Sequence, residues 1–124
     1  MTAASHSIMS SAPVENAGMA ASVEETSFET GGALGVAFFG SLLAAVYSLT
    51  LKLPPELASA EAARDGIDSA LLIAETMGGS LAETLRQLAR TAFDNAFTVV
   101  FISGAALAAL TSLAILFFTK KKHI

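Results

Sequence analysis

The chain has 124 residues, 53% hydrophobic and 15% charged, with a mean hydropathy of +0.62: too apolar for an ordinary soluble domain and too short to build a complete solute pathway through a bilayer. It contains no cysteine, which excludes a disulfide framework, a thiolate nucleophile and a cysteine metal site, and leaves the redox compartment open. A net charge of -4 offers no basic field to nucleic acid.

Catalytic chemistry has no foothold either. No set of nucleophile, base and orienting group can be assembled, so no enzyme and no cofactor are expected. His6 and His123 each lack a second histidine or an acid at ligand spacing, so no metal site is expected.

Residues 1–21, MTAASHSIMSSAPVENAGMAA, are small and polar, are interrupted by Pro13 and Gly18, and read as a loop or weak helix. They lack the basic start and following apolar core of a secretory signal.

Residues 22–51 are the stretch on which the rest depends. From Gly31 to Leu51 there is no Asp, Glu, Lys, Arg or His, and as a helix this run extends about 31 Å, the hydrocarbon thickness of a bilayer. We read it as a first transmembrane helix. Ala33, Ala37, Ser41 and Ala45 recur at i+4, with Gly32, Gly40, Ala44 and Ser48 beside them and Gly31 and Gly35 as a small-xxx-small pair. Small residues of this kind let membrane helices approach closely. Three carboxylates, Glu24, Glu25 and Glu29, precede the glycines, and the spacing of Glu25 and Glu29 puts both on one helical face. Ser22 with Glu25 fits a capping box, which accounts for the first two acids at a helix start. It does not account for Glu29, two turns in. An acid held near or inside a membrane is costly and marks an ion or cation pathway.

Residues 52–91 follow as an extracytoplasmic helical hairpin. Pro54 and Pro55 stop the first helix, and Ile67, Ala70, Leu71 and Ala74 form one apolar face of the next. Gly78 and Gly79 end that helix. Ser80 and Glu83 suggest a second capping box, opening a helix with Leu81, Leu85, Leu88 and Ala92 on one side. Residues 92–119 read as the second transmembrane helix, with Asp94 at its entrance and a small stripe of Gly104, Ala108 and Ser112. Residues 120–124 form a basic tail, in which Lys120, Lys121 and Lys122 argue for a cytoplasmic C-terminus; Lys52, Arg64, Arg86 and Arg90 in the hairpin weigh against it. The fold class is therefore all-α: two transmembrane helices joined by an amphipathic helical hairpin, in contact with the lipid bilayer.

The segment IMSSAPVENAGMAASVEETSFETGGALGVAFFGSL resembles the entry to the thirteenth helix of the fourteen-helix drug/proton antiporters of the major facilitator superfamily, in the branch of quaternary-ammonium and methyl-viologen exporters. The matching residues are Ala12, Pro13, Ala17, Gly18, Val23, Glu24, Glu25, Glu29, Gly31, Gly35, Ala37, Gly40 and Leu42. The likeness continues through the loop to AFDNAF, where the last helix of that family begins. Thr30 departs from the usual leucine of the glycine series, and the other helices of the family are not in this chain.

The resemblance implies a C-terminal fragment of a proton-coupled exporter of lipophilic cations in the inner (plasma) membrane, not competent for transport alone, with both termini cytoplasmic. Its partners are the remaining transporter helices, lipophilic cations and protons. Glu29 is then the membrane-embedded acid, with Glu24 and Glu25 nearer the cytoplasmic mouth, and Gly31, Gly35, Ala37, Gly40 and Gly104 are helix-packing positions. Phe28, Phe38 and Phe39 are either cation contacts or packing residues. The competing reading is a free-standing two-span protein that oligomerises through its small-residue faces, as a pore of the holin kind or a regulatory subunit.

Overall fold

The computed structural model describes residues 2–121. Met1, residues 122–124 and the side chains of Ala3, Thr119, Lys120 and Lys121 lie outside the described residues, and with them the lysine cluster expected to orient the chain and His123. Every regular element among the described residues is helical: α1 (Ala3–Ser11), a 3-10 turn (Val14–Asn16), α2 (Ala17–Thr50), a 3-10 segment (Pro55–Asp65), α3 (Ile67–Met77) and α4 (Gly79–Lys121). The all-α expectation holds. α2 and α4 are each long and apolar enough to cross a membrane, and the most apolar 18-residue stretch of each is almost wholly uncovered. At 34 and 43 residues they extend about 51 and 64 Å, so each must tilt or stand partly outside about 30 Å of hydrocarbon.

The chain divides into two compact units, Met1–Phe38 and Phe39–Ile124. In the first, Thr2 caps α1 by accepting a hydrogen bond from the backbone N–H of Ser5 at 3.3 Å. Pro13 forces Ala12 into an extended conformation and ends that helix. α2 then starts at Ala17, five residues before the expected Ser22. The Ser22–Glu25 capping box is therefore absent: Ser22 lies inside the helix and its hydroxyl donates to the Gly18 carbonyl at 3.0 Å.

The second unit holds a core of Tyr47, Leu51, Leu57, Leu85 and eight alanines. Its ordering principle is close approach. Ala70 and Ala74 of α3 pack with Ala82, Leu85, Ala89, Ala92 and Ala96 of the α4 side of this core, all at 2% exposure or less. The expected face of Ile67, Ala70, Leu71 and Ala74 on α3 is the covered one. On α4 the buried line is rotated: Leu81 is 41% exposed and Leu88 only partly buried, because methyl side chains take the centre where two helices come close and larger ones flank it.

α3 and α4 are joined by Gly78 and Gly79, which adopt φ of 65° and 72°. Gly78 combines its φ with ψ of 173°, a region open essentially to glycine alone. Gly78→Ala is expected to cost about 1–3 kcal/mol, read as a lower denaturant midpoint for loss of helicity in micelles.

Helix starts and joins between Pro55 and Gly104 differ from the expected pattern. Ser80 is inside α4, where its carbonyl accepts from the Thr84 hydroxyl, while Glu83 pairs with Arg86 at 3.4 Å, so the second capping box is not formed. The hairpin's second arm and the second transmembrane helix are one continuous helix with no break at residues 91–92, since neither Gly nor Pro occurs between Gly79 and Gly104. The first arm is likewise not one helix from Pro55. Leu57 and Ala60 leave helical φ/ψ, and an extended Gly66 separates the 3-10 segment from α3.

Candidate functional site

The three acids lie in the first unit, on the part of α2 that precedes the glycines. At 3.6 residues per turn, Glu29 lies about 40° round the helix from Glu25, whereas Glu24 lies about 100° from Glu25 on the other side. The helix thus brings Glu25 and Glu29 together and leaves Glu24 on a different face. Glu25 and Glu29 are exposed and Glu24 is half-buried. Among the described residues, the ion pairs are Arg64–Glu61 and Arg86–Glu83, and neither involves these carboxylates. Neighbouring hydroxyls turn away from them. Ser22 donates to Gly18, and Ser27 donates to the Val23 carbonyl at 2.7 Å.

Two surface depressions on this unit, one lined by Met19, Ser22, Val23, Thr26 and Ser27 and one by Ile8, Ala12, Pro13, Asn16, Met19, Ala20 and Val23, include none of the three acids. No group of three or more metal-ligating side chains occurs among the described residues. The arrangement can therefore hold and exchange protons or attract a cation along a helix face. The covering that would enclose such an acid is not provided by this unit.

The packing positions divide in the same way. No heavy atom lies within 4 Å of a Cβ built at Gly31, Gly35 or Gly40, and Ala37 is exposed. At Gly104 the ring of Phe39 stands 3.7 Å away, so in the second unit α2 and α4 meet through an aromatic ring on a glycine. Beside that contact Phe93, Phe97 and Phe101 stack along α4, with ring centroids 6.3 and 5.6 Å apart. Phe39, Phe97, Val100, Phe101, Gly104, Ala105 and Ala108 line an open apolar groove of about 550 Å³. Phe28 and Phe38 are exposed, at 77% and 61%, and Asp94 is exposed at mid-α4.

Sequence reasoning missed Tyr47 and Arg64. The Tyr47 hydroxyl, on a residue 2% exposed, donates to the Ala63 carbonyl at 3.0 Å, and Arg64 Nη1 donates to the carbonyls of Ser48 and Leu51 at 3.1 and 2.8 Å. A lone tyrosine near the end of a charge-free run was the available signal for the first; nothing in the residue pattern marks the second.

Compared with known proteins, the chain matches no family model and no solved structure. It is 29% identical over 119 residues, 94% of its length, to the methyl viologen resistance protein SmvA of Salmonella typhimurium, in two strains. It is also 30% identical over 108 residues, 86% of its length, to the multidrug efflux pump LfrA of Mycolicibacterium smegmatis. Its relatives are proteins of drug efflux and viologen resistance. The matches cover 24% and 21% of those proteins, so the chain spans about a quarter of the length of the curated relatives it matches. With two helices fit to cross a bilayer and relatives of this kind, its place is a membrane.

Proposed function

We propose that this chain is the C-terminal two-helix portion of a proton-coupled exporter of lipophilic cations, of the major facilitator type, in the plasma membrane with both ends cytoplasmic. The observation that carries this reading is likeness to a viologen resistance protein over 94% of the chain, in a sequence whose first long apolar helix bears carboxylates without ion-pair partners among the described residues. Glu29 is the coupling acid, Glu25 shares its face, and Glu24 stands aside. Further helices cover the acid face and the glycines, raising the cost of a bare charge so that a proton or a lipophilic cation must occupy the site. Alternating access then delivers the cation to one side as the carboxylate takes a proton from the other. The chain by itself is expected not to transport.

The uncovered Gly31 and Gly35 also suit a free-standing oligomer that packs through small residues. One comparison separates the readings. The chain alone, and the longer reading frame that includes the sequence upstream of Met1, are expressed in an efflux-deficient host and tested for ethidium efflux. The exporter reading expects efflux from the long product and none from the chain alone. A purified oligomer of the chain that permeabilises liposomes without a proton gradient would establish the pore and remove the exporter.

A further inference from the structure

We propose that residues 55–65 form a strap that opens from and closes onto the C-terminal end of α2, with Arg64 as its latch and Tyr47 as a second catch. The inference does not rest on the exporter reading.

The strap's backbone is built for rearrangement. It is a 3-10 segment whose Leu57 and Ala60 depart from helical φ/ψ, so its i→i+3 hydrogen bonds are interrupted and of poorer geometry than those of an α-helix, and it is bounded by the extended residues Pro54 and Gly66. Its apolar grip on the core, mainly against α3, is made with small side chains. Leu57 is its one large buried side chain, beside Ala60 and Ala63.

What holds it is polar and reciprocal. α2 ends at Thr50 and leaves its last carbonyls without partners in the helix, and the Arg64 guanidinium supplies donors to Ser48 and Leu51 while placing positive charge at the negative helix end. Glu61 Oε1 lies 2.9 Å from Arg64 Nε, an ion-pair contact from within the strap. In return the Tyr47 hydroxyl of α2 donates to Ala63 of the strap. The Arg64 side chain is 33% exposed, so on release water can replace its bonds at modest net cost.

The remaining packing does not depend on the strap. α3 packs on α4 through alanines and Leu85. Opening the strap therefore uncovers Tyr47 and Leu51 without parting the helices. Asp65 of the strap also stands, with Gly66, Ile67 and Asp68, at one side of an open pocket of about 230 Å³ over Gly40, Leu43 and Ala44.

The absence of cysteine makes the test direct. A single cysteine is placed either under the strap (Ala60→Cys, at a site 2% exposed) or between α3 and α4 (Ala89→Cys, 0% exposed), and the rate of N-ethylmaleimide labelling is followed for the full chain in detergent micelles. Adding Arg64→Ala is expected to speed labelling of Ala60→Cys about tenfold or more, the population effect of losing charged hydrogen bonds, and to leave Ala89→Cys unchanged. No acceleration at Ala60→Cys overturns the latch. If both cysteines accelerate together, the milder Tyr47→Phe decides. A severalfold rise confined to Ala60→Cys upholds an independent strap, and an equal rise at both sites, or none, overturns it.

Discussion

Glu29→Gln in the assembled transporter is expected to lower efflux of a lipophilic cation driven by a pH gradient by about a hundredfold or more, the scale on which positioned proton-transfer groups act. Glutamine keeps the shape of glutamate but carries no charge and cannot take up or release a proton, so the variant removes both proton exchange and the charge that holds a cation on the exposed face of α2. Glu25→Gln, on the same face, is expected to be impaired to a smaller degree. Glu24→Gln is expected to lie close to the parent, because the helix turns that residue to another side. Membrane insertion and expression should match for all three, since the charge-free run that drives insertion begins at Gly31. The readout is ethidium efflux from energised inverted vesicles alongside immunoblotting of the membrane fraction. Retained efflux in Glu29→Gln would remove the central assignment, and a loss in Glu24→Gln equal to that in Glu29→Gln would show that the helix face does not matter.

Leu85→Ala should be the most damaging single truncation in the second unit, at about 2–5 kcal/mol. Among the described residues, eight of the twelve in the core are alanine, and the large side chains fully removed from surroundings are Leu51, Leu57 and Leu85. Their alanine neighbours already sit at close backbone approach and have no side chain long enough to move into the space vacated. Leu72→Ala, at a residue 64% exposed on α3, removes the same atoms without leaving a cavity and is expected to stay within about 0.5 kcal/mol of the parent. Helical circular dichroism followed through an SDS titration in mixed micelles compares the two. If the midpoints for Leu85→Ala and Leu72→Ala coincide, the alanine-lined interface is not what holds this unit together.

These expectations differ in how far the residues alone disclose them. The two long helices are legible because twenty or so residues without charge leave a chain in lipid little choice but to satisfy its own backbone, and Gly31–Leu51 and Asn95–Thr119 are such runs. The acid pair is legible too, since i and i+4 share a helix face in any fold. Helix starts were misjudged at Ser22 and Ser80 because serine followed three residues later by glutamate occurs inside helices as readily as at their ends once a stronger signal, Pro13 or Gly78, stands upstream. The shift from mixed to apolar composition near residue 92 marks a change of surroundings and not a break in hydrogen bonding, so α4 runs through it.

By itself, then, the sequence determined that the chain is helical, that two helices suit a bilayer, and that carboxylates ride on the first of them, because these follow from local composition and helical period. Tertiary structure alone decided that alanines together with Leu85, and not Leu81 or Leu88, occupy the middle of the α3–α4 contact, that Phe39 lies against Gly104, and that Arg64 closes the end of α2 from thirteen residues beyond Leu51. Each of these depends on which surfaces approach one another. Distance in space is set by the packing of whole elements, and no local pattern of residue types carries it.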